Sequence, residues 1–202
     1  MGVDQDRRAH WDERHAAREP IELLEIDASL EEEVARLTPG RALDLGSGDG
    51  GNAVWLPLRG WSVTGVDFSS VGLERARARA QDQGVAVDWV LADLLEWQPP
   101  AASFDLVILV FIHLPAEERR VIHRMAVQAV APHGTLLVVG HDRSKLVEGT
   151  GGPQDPEVLF TASEIASELP GLRIERAETV SRPVGDDRYR IDAVVRAVRA
   201  AD

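Results

Sequence analysis

Short apolar runs recur along the chain, each ending near a glycine or an acid and separated from the next by a segment of helical period. Ala42–Leu45, Ser62–Asp67, Val87–Ala92, Leu106–Val110 and Thr135–Gly140 read as strands. Strands alternating with helical segments predict a parallel sheet covered on both faces. Ser29 with Glu32 forms a capping-box pattern ahead of Val34 and Leu37. A helix beginning at Ser69 or Ser70 carries Leu73, Ala76 and Ala80 on one face and stops at Gly84. Another has Pro115 in its first turn and Glu117 and Glu118 beside its positive end. Val121, Ile122, Met125 and Val130 form its buried stripe, and Pro132 ends it. The helix after the first strand begins near Asn52 and should be short or kinked, because Pro57 interrupts it.

After Gly140 the pattern changes. Residues 142–157 are polar and rich in glycine and proline, the longest irregular stretch in the chain. Residues 142–160 are thus a candidate lid over a site. A short helix over Ser163–Glu168 follows. Leu172–Arg182 and Arg188–Val198 then alternate around Gly185-Asp186-Asp187 as a hairpin. No internal repeat breaks up the 202 residues, a length that suits a single domain spanning 1–202.

Composition narrows the chemistry. The net charge of −12 disfavours non-specific attraction to nucleic acid or an anionic membrane. No cysteine is present, which excludes disulfides, thiolate metal sites and cysteine nucleophiles. The N-terminus is polar, no run approaches a membrane span, and the reading is a cytoplasmic protein.

The most informative segment is Ala42-Leu43-Asp44-Leu45-Gly46-Ser47-Gly48-Asp49-Gly50-Gly51. A strand stops at a carboxylate, turns on glycines and enters a helix. That arrangement lets a nucleotide-like ligand lie against bare backbone. Gly46-x-Gly48-x-x-Gly51 formally satisfies the dinucleotide fingerprint, but Asp44 and Asp49 lie where a pyrophosphate would sit. Like charges a few ångströms apart cost about 1–4 kcal/mol near a protein surface. S-adenosylmethionine (SAM), with its sulfonium and ammonium, suits an acidic site better. Asp67 ends the second strand, 23 residues after Asp44, placed for both ribose hydroxyls. Asp93 ends the third, within reach of an adenine amino group. A rival reading, an NAD(P) short-chain oxidoreductase, needs Tyr-x-x-x-Lys; the only tyrosine, Tyr189, has Ala193 four residues on.

With these residues in view, the chain resembles the class I SAM-dependent methyltransferases. Asp44-x-Gly46-x-Gly48-x-Gly50 is similar to their first motif, Val66-Asp67 to their second and Ala92-Asp93-Leu94 to their third. Phe104-Asp105-Leu106-Val107 with Ile112-His113-Leu114-Pro115 resembles the fourth. The resemblance implies a three-layer α/β/α sandwich with a seven-stranded, mostly parallel sheet in the order 3-2-1-4-5-7-6, strand 7 antiparallel. The short chain looks most like the small-molecule branch that includes the tellurite-resistance and thiopurine enzymes.

It also implies roles. Asp44 holds the methionine ammonium, and Gly46, Ser47, Gly48 and Gly50 pass the methionine moiety. Asp67 takes the ribose. Ala92, Asp93 and the Leu94 amide frame the adenine, with Phe68 and Leu94 on its faces. Val110 opens toward the sulfonium. Trp11-Asp12-Glu13-Arg14-His15 resembles a Trp-Asp-Glu-Arg-Tyr segment on a helix, here over about 4–18, that covers the cofactor. Trp11 and Arg14 are the contacts it offers, Arg14 toward the SAM carboxylate. His15 stands in place of the usual tyrosine.

Methyl transfer needs alignment, exclusion of water and, for an oxygen nucleophile, a base. His113 and His141 follow the fourth and fifth strands on the ligand-binding side of the sheet and are the candidate bases. The expected activity is methyl transfer from SAM to a small-molecule acceptor, leaving S-adenosylhomocysteine. Methylation of a protein, or SAM binding without catalysis, are the alternatives. No metal is expected.

Overall fold

A computed structural model describes residues 5–17, 26–185 and 188–201. Two helices precede the sheet: α1 (Gln5–Ala16) and α2 (Ala28–Val34). Then come β1 (Arg41–Leu45), α3 (Gly51–Trp55), β2 (Ser62–Asp67), α4 (Ser70–Asp82), β3 (Asp88–Leu91), β4 (Phe104–Val110) and α5 (Ala116–Ala129). The chain continues through β5 (Val130–His141), the single turn α6 (Lys145–Glu148), α7 (Ala162–Ser167), β6 (Arg173–Pro183) and β7 (Tyr189–Val198). The seven strands form one sheet, β3-β2-β1-β4-β5-β7-β6. The pairs from β3 to β5 are parallel, and β7 runs antiparallel to both its neighbours. This is the order the family resemblance implies.

Alternation along the strands splits the core between two faces. Leu43, Leu45, Val107, Leu109, Leu136 and Val138 point to one side, where Ile122 and Met125 of α5 and Ile165 of α7 cover them. Ala42, Leu106, Ile108, Leu137 and Val139 point to the other, against Leu30 and Val34 of α2 and Ala53 and Trp55 of α3. Each fully buried Leu or Val contributes roughly 1.5–3 kcal/mol. Parallel strands also bring all their carboxyl ends to one rim, where any ligand must bind.

Local signals held where they were strongest. The Ser69 hydroxyl accepts from the Gly72 amide to cap α4, and Gly84 lies just past its end at φ +64°. α3 is a bare turn and a half, followed by a 3-10 turn at Pro57–Arg59.

Elsewhere the structure corrects the reading. α2 is capped by Asp27, whose carboxylate accepts from the Ser29 amide, so Ser29 lies inside the helix and has no capping box with Glu32. Pro115 caps α5 from outside its first turn. Val130 belongs to β5, because the helix ends at Ala129 and the chain enters the strand at once. Residues 142–157 are partly ordered by α6 and by a 3-10 turn at Pro156–Val158. α7 carries a capping box of its own, Thr161 with Glu164. The ends of the expected N-terminal helix (4 and 18) and the hairpin turn at Asp186-Asp187 lie outside the described residues.

Candidate functional site

The rim divides into two neighbouring regions. The first forms where β1 and β2 end. Gly46 and Ser47 donate their amides to the Val66 carbonyl (2.8 and 3.0 Å), which folds the turn after β1 onto β2. Gly46 and Gly50 both have positive φ, +70° and +84°. A Cβ on Gly46 would lie 2.7 Å from Ile112 Cδ1, and one on Gly50 2.7 Å from the Ala76 Cβ. Only glycine meets both demands. The Gly46 contact also brings the segment after β4 against the turn.

Asp44 is buried beneath this turn. Its carboxyl is held well up, at about 8, chiefly by burial and then by the neighbouring Asp67 charge, against a hydrogen bond from the Ala53 amide. Among the described residues its Oδ2 has no hydrogen-bond partner. A buried carboxylate oxygen without a partner is costly unless a cation or donor completes it. Asp67 is also buried, and burial raises its carboxyl too. Its Oδ2 accepts from the Gly48 amide and its Oδ1 from the Ser69 amide, both at 2.8 Å. A further backbone hydrogen bond comes from Phe68, and of the four lone-pair sites of the carboxylate this leaves one for a ligand. The Ser47 hydroxyl is buried here, without a partner among the described residues. Asp49, expected to repel a pyrophosphate, is instead paired with Arg79 (3.4 Å). The acidic groups left to meet a ligand are therefore Asp44 and Asp67, and Asp44, held up at about 8, takes its charge only when a cation arrives.

Further along the rim, Asp93 Oδ1 accepts from the Leu95 amide (3.0 Å) and stabilises the turn after β3. Leu94 is buried; Phe68, Ala92 and Val110 are half-buried. α1 lies over α4 and the glycine turn. Asp12 accepts from the Ser69 hydroxyl (2.5 Å) and the Val71 amide (3.3 Å). His15 is buried close enough to Gly48 that a Cβ there would lie 3.3 Å from its Cε1. Trp11 is half-buried, and Arg14 is exposed with its guanidinium over the Trp11 ring, 5.0 Å from the centroid.

The second region forms where β4, β5 and β7 meet. His113 and His141 stack at 5.1 Å between centroids, flanked by Phe111 and Phe160. His113 Nε2 accepts from the His141 amide (3.0 Å), and a backbone hydrogen bond links the ring to Phe111. Burial and then the neighbouring His141 push His113 down to about 4. With both its nitrogens engaged by main chain, it pins the two strand ends together. His141 differs. Its Nδ1 lies 2.9 Å from Asp192 Oδ1, on the residue directly opposite in β7. Asp192 is fully buried and also accepts from Arg190 Nε (2.7 Å), while Arg190 reaches on to Asp27. Phe111 holds a left-handed φ of +58° and lies under the Arg190 guanidinium. The structure thus brings His113 and His141 together, but along the rim from the carboxylates of β1 and β2.

Asp192, Arg190 and Lys145 were missed in the sequence. The signal for Asp192 was present: one acid inside the apolar run Ile191-Asp192-Ala193-Val194-Val195 requires a buried partner.

The comparisons with known proteins agree with this geometry. The protein-family description "Methyltransferase domain" matches residues 42–134, from β1 to the middle of β5. The 2-heptyl-1-hydroxyquinolin-4(1H)-one methyltransferase of Mycobacteroides abscessus is 26% identical over 131 residues, 62% of this chain and 58% of that protein. The ubiquinone biosynthesis O-methyltransferase of Pseudomonas aeruginosa is 30% identical over 135 residues, 63% and 56% respectively. The chain thus spans little more than half the length of these relatives. In fold it resembles the N-methyltransferase NodS of Bradyrhizobium japonicum, solved with S-adenosylhomocysteine (TM-score 0.71, 16% identity, 94% of this chain and 97% of that one). Residues 42–134 thus match a methyltransferase domain, and the chain as a whole has the Rossmann-like fold of the class I methyltransferases.

Proposed function

We propose that the protein transfers the methyl group of SAM to a small-molecule acceptor, as one domain acting in the cytoplasm. One observation carries the reading: Asp44, a buried carboxylate with an unpartnered oxygen beside Asp67, under a turn of bare glycine backbone. A carboxyl that gains its charge only against a cation suits an ammonium and offers a diphosphate nothing. SAM supplies a methyl group on a positively charged sulfur, and that charge disappears as the methyl leaves.

The chain's own residues bind and align. Asp44 holds the ammonium, and the Gly46–Gly50 backbone with Ser47 follows the methionine chain. Asp67 accepts from the ribose with the lone-pair capacity its backbone partners leave. Asp93 and the Leu94 amide meet the adenine edge; Phe68, Ala92 and Leu94 pack around the ring, and Val110 lines the path to the sulfur. Trp11 and Arg14 on α1 roof the crevice, and residues 142–160 close the acceptor side against water. The named activities of the relatives, on a hydroxyquinolone and in ubiquinone biosynthesis, support a small organic acceptor. The net charge of −12 weighs against nucleic acid.

Calorimetric titration with SAM, S-adenosylhomocysteine and NADH, followed by a radiolabelled-methyl screen over phenols, thiols, amines and tellurite, tests the reading. Binding of the first two and label in a small molecule are expected. NADH binding without SAM binding removes the cofactor assignment, and label only in protein removes the acceptor assignment.

A further inference from the structure

We infer that His141, oriented by Asp192, is the general base of the reaction, and that the acceptor is accordingly a neutral hydroxyl compound of the phenol type. The inference rests on the methyltransferase reading above and adds the substrate class and two residue roles to it.

β1, β4 and β5 pair in register, Leu45 with Leu109 and Leu109 with Val138. His141 therefore stands three residues beyond the row where β1 ends, projecting past the rim on the carboxyl side. Its Nδ1 points to a fully buried carboxylate at 2.9 Å, which holds the ring in the tautomer with the proton on Nδ1. Nε2 is then a free lone pair. The groups that face the imidazole are His113 from the β4–α5 segment, Asp192 and Arg190 from β7, Lys145 from α6, and Asp142 beside it in sequence. Among the described residues, none of them makes a hydrogen bond to Nε2. His113 gives its own lone pair to the His141 amide, Asp142 accepts from Ser144 and Thr179, and Arg190 is turned onto Asp192 and Asp27.

What covers Nε2 is backbone. A Cβ on Gly152 would lie 2.4 Å from it, and Gly151 and Gly152 both have positive φ, +79° and +64°. This stretch lies on the imidazole as a flap and is latched from behind: the single lysine of the chain, Lys145, is buried and donates its ammonium to the Gly151 carbonyl (2.5 Å). A structural histidine needs no glycine laid against its free nitrogen, as Gly152 is here, whereas a base that must be dry during transfer and reachable before it does.

The step balances. The acceptor O–H proton passes to Nε2, an oxygen lone pair forms the new C–O bond, and the S–CH3 bond breaks with its electron pair left on sulfur. The imidazolium so formed carries the positive charge that the sulfonium loses, and Asp192 stabilises it as a positioning residue. A soft acceptor that ionises unaided needs no such group, so the dyad points to oxygen.

Simple phenols and the matching thiophenols, offered with radiolabelled SAM, provide the test. Phenols should be methylated. His141→Gln should lower kcat on phenols at least 100-fold and on thiophenols less than threefold, with SAM affinity within twofold of the native protein. Asp192→Asn should lower kcat on phenols tenfold or more with KM within about twofold, and displace the acidic limb of the pH profile. As a readout independent of turnover, nitrogen-15 NMR of the imidazole should show the proton on Nδ1 in the native protein and a mixture of tautomers in Asp192→Asn. Equal losses on phenols and thiophenols, an unchanged tautomer in Asp192→Asn, or methylation of thiols or amines but of no phenol overturns the inference. Failure of the native protein to bind SAM would instead remove the methyltransferase reading beneath it.

Discussion

The two halves of the sheet's rim solve opposite electrostatic problems. Where β1 and β2 end, Asp44 and Asp67 are buried close to one another and Asp44 keeps an oxygen without a partner. Where β5 ends and β7 begins, each buried charge has found a partner: Asp192 with His141 and Arg190, Arg190 with Asp27, Lys145 with the Gly151 carbonyl. The first region is incomplete by itself and is finished by a cation. The second is complete and must be opened. The cofactor is met by a preformed acidic group that ionises against it, while the acceptor is met by a closed polar network that yields only to the right molecule.

The comparison breaks most visibly at Asp67. Asp67→Ala removes hydrogen bonds to a charged group and should cost about 3 kcal/mol of SAM binding, roughly a hundredfold in Kd. Calorimetry reads the affinity, and far-ultraviolet dichroism should stay unchanged. Gly50→Ala comes next. It forces a side chain into φ +84° and against Ala76, and should lower stability by about 2 kcal/mol in denaturant titration.

In the paired half, Glu168 gives a test by pH. Burial alone would raise its carboxyl, but hydrogen bonds from His123 and Arg119 outweigh it and hold it down at about 2. A carboxyl lowered in the folded state stabilises the fold above its ordinary value near 4.5, and that stability is lost as pH falls toward 2. Glu168→Gln should therefore be less stable than the native protein at pH 7, by about 2 kcal/mol, with the gap closing below pH 3. Because Arg119 lies over Phe160, and Phe160 stacks on His113, the variant also loosens the bed of the histidine pair. The smallest effect belongs to the latch. Lys145→Met should speed acylation of His141 by diethyl pyrocarbonate several-fold, read at that residue by mass spectrometry, and leave SAM affinity unchanged.

The two halves also differ in how far they were legible. The carboxylate half is local in sequence. Asp44 and its glycines are contiguous, and Asp67 and Asp93 mark strand ends that the apolar runs disclose. The sheet order came through the same motifs. The dyad half depends on β5 and β7 meeting in one particular antiparallel register, which brings together residues 51 apart. Alternation says that Asp192 faces inward but not which residue it meets. The error at Asp49 has the same origin, since Arg79 lies 30 residues away on α4. At α2, two acceptors competed for the helix start. Asp27 takes the Ser29 amide, and the Ser29 hydroxyl accepts from Arg182 of β6 instead. A capping pattern cannot anticipate a strand that arrives some 150 residues later.

The central claim is that an uncompensated carboxylate waits for a cation, and proton linkage at Asp44 tests it most directly. Its carboxyl sits near 8 when the crevice holds no cation, so at pH 7 it is largely protonated and must ionise to pair with the SAM ammonium. SAM affinity should therefore rise as pH goes from 6 to 8. Calorimetry at pH 7 in buffers of different ionisation enthalpy should show release of close to one proton per SAM bound, and Asp44→Asn should abolish the release. Binding that is independent of pH and releases no proton would contradict the account.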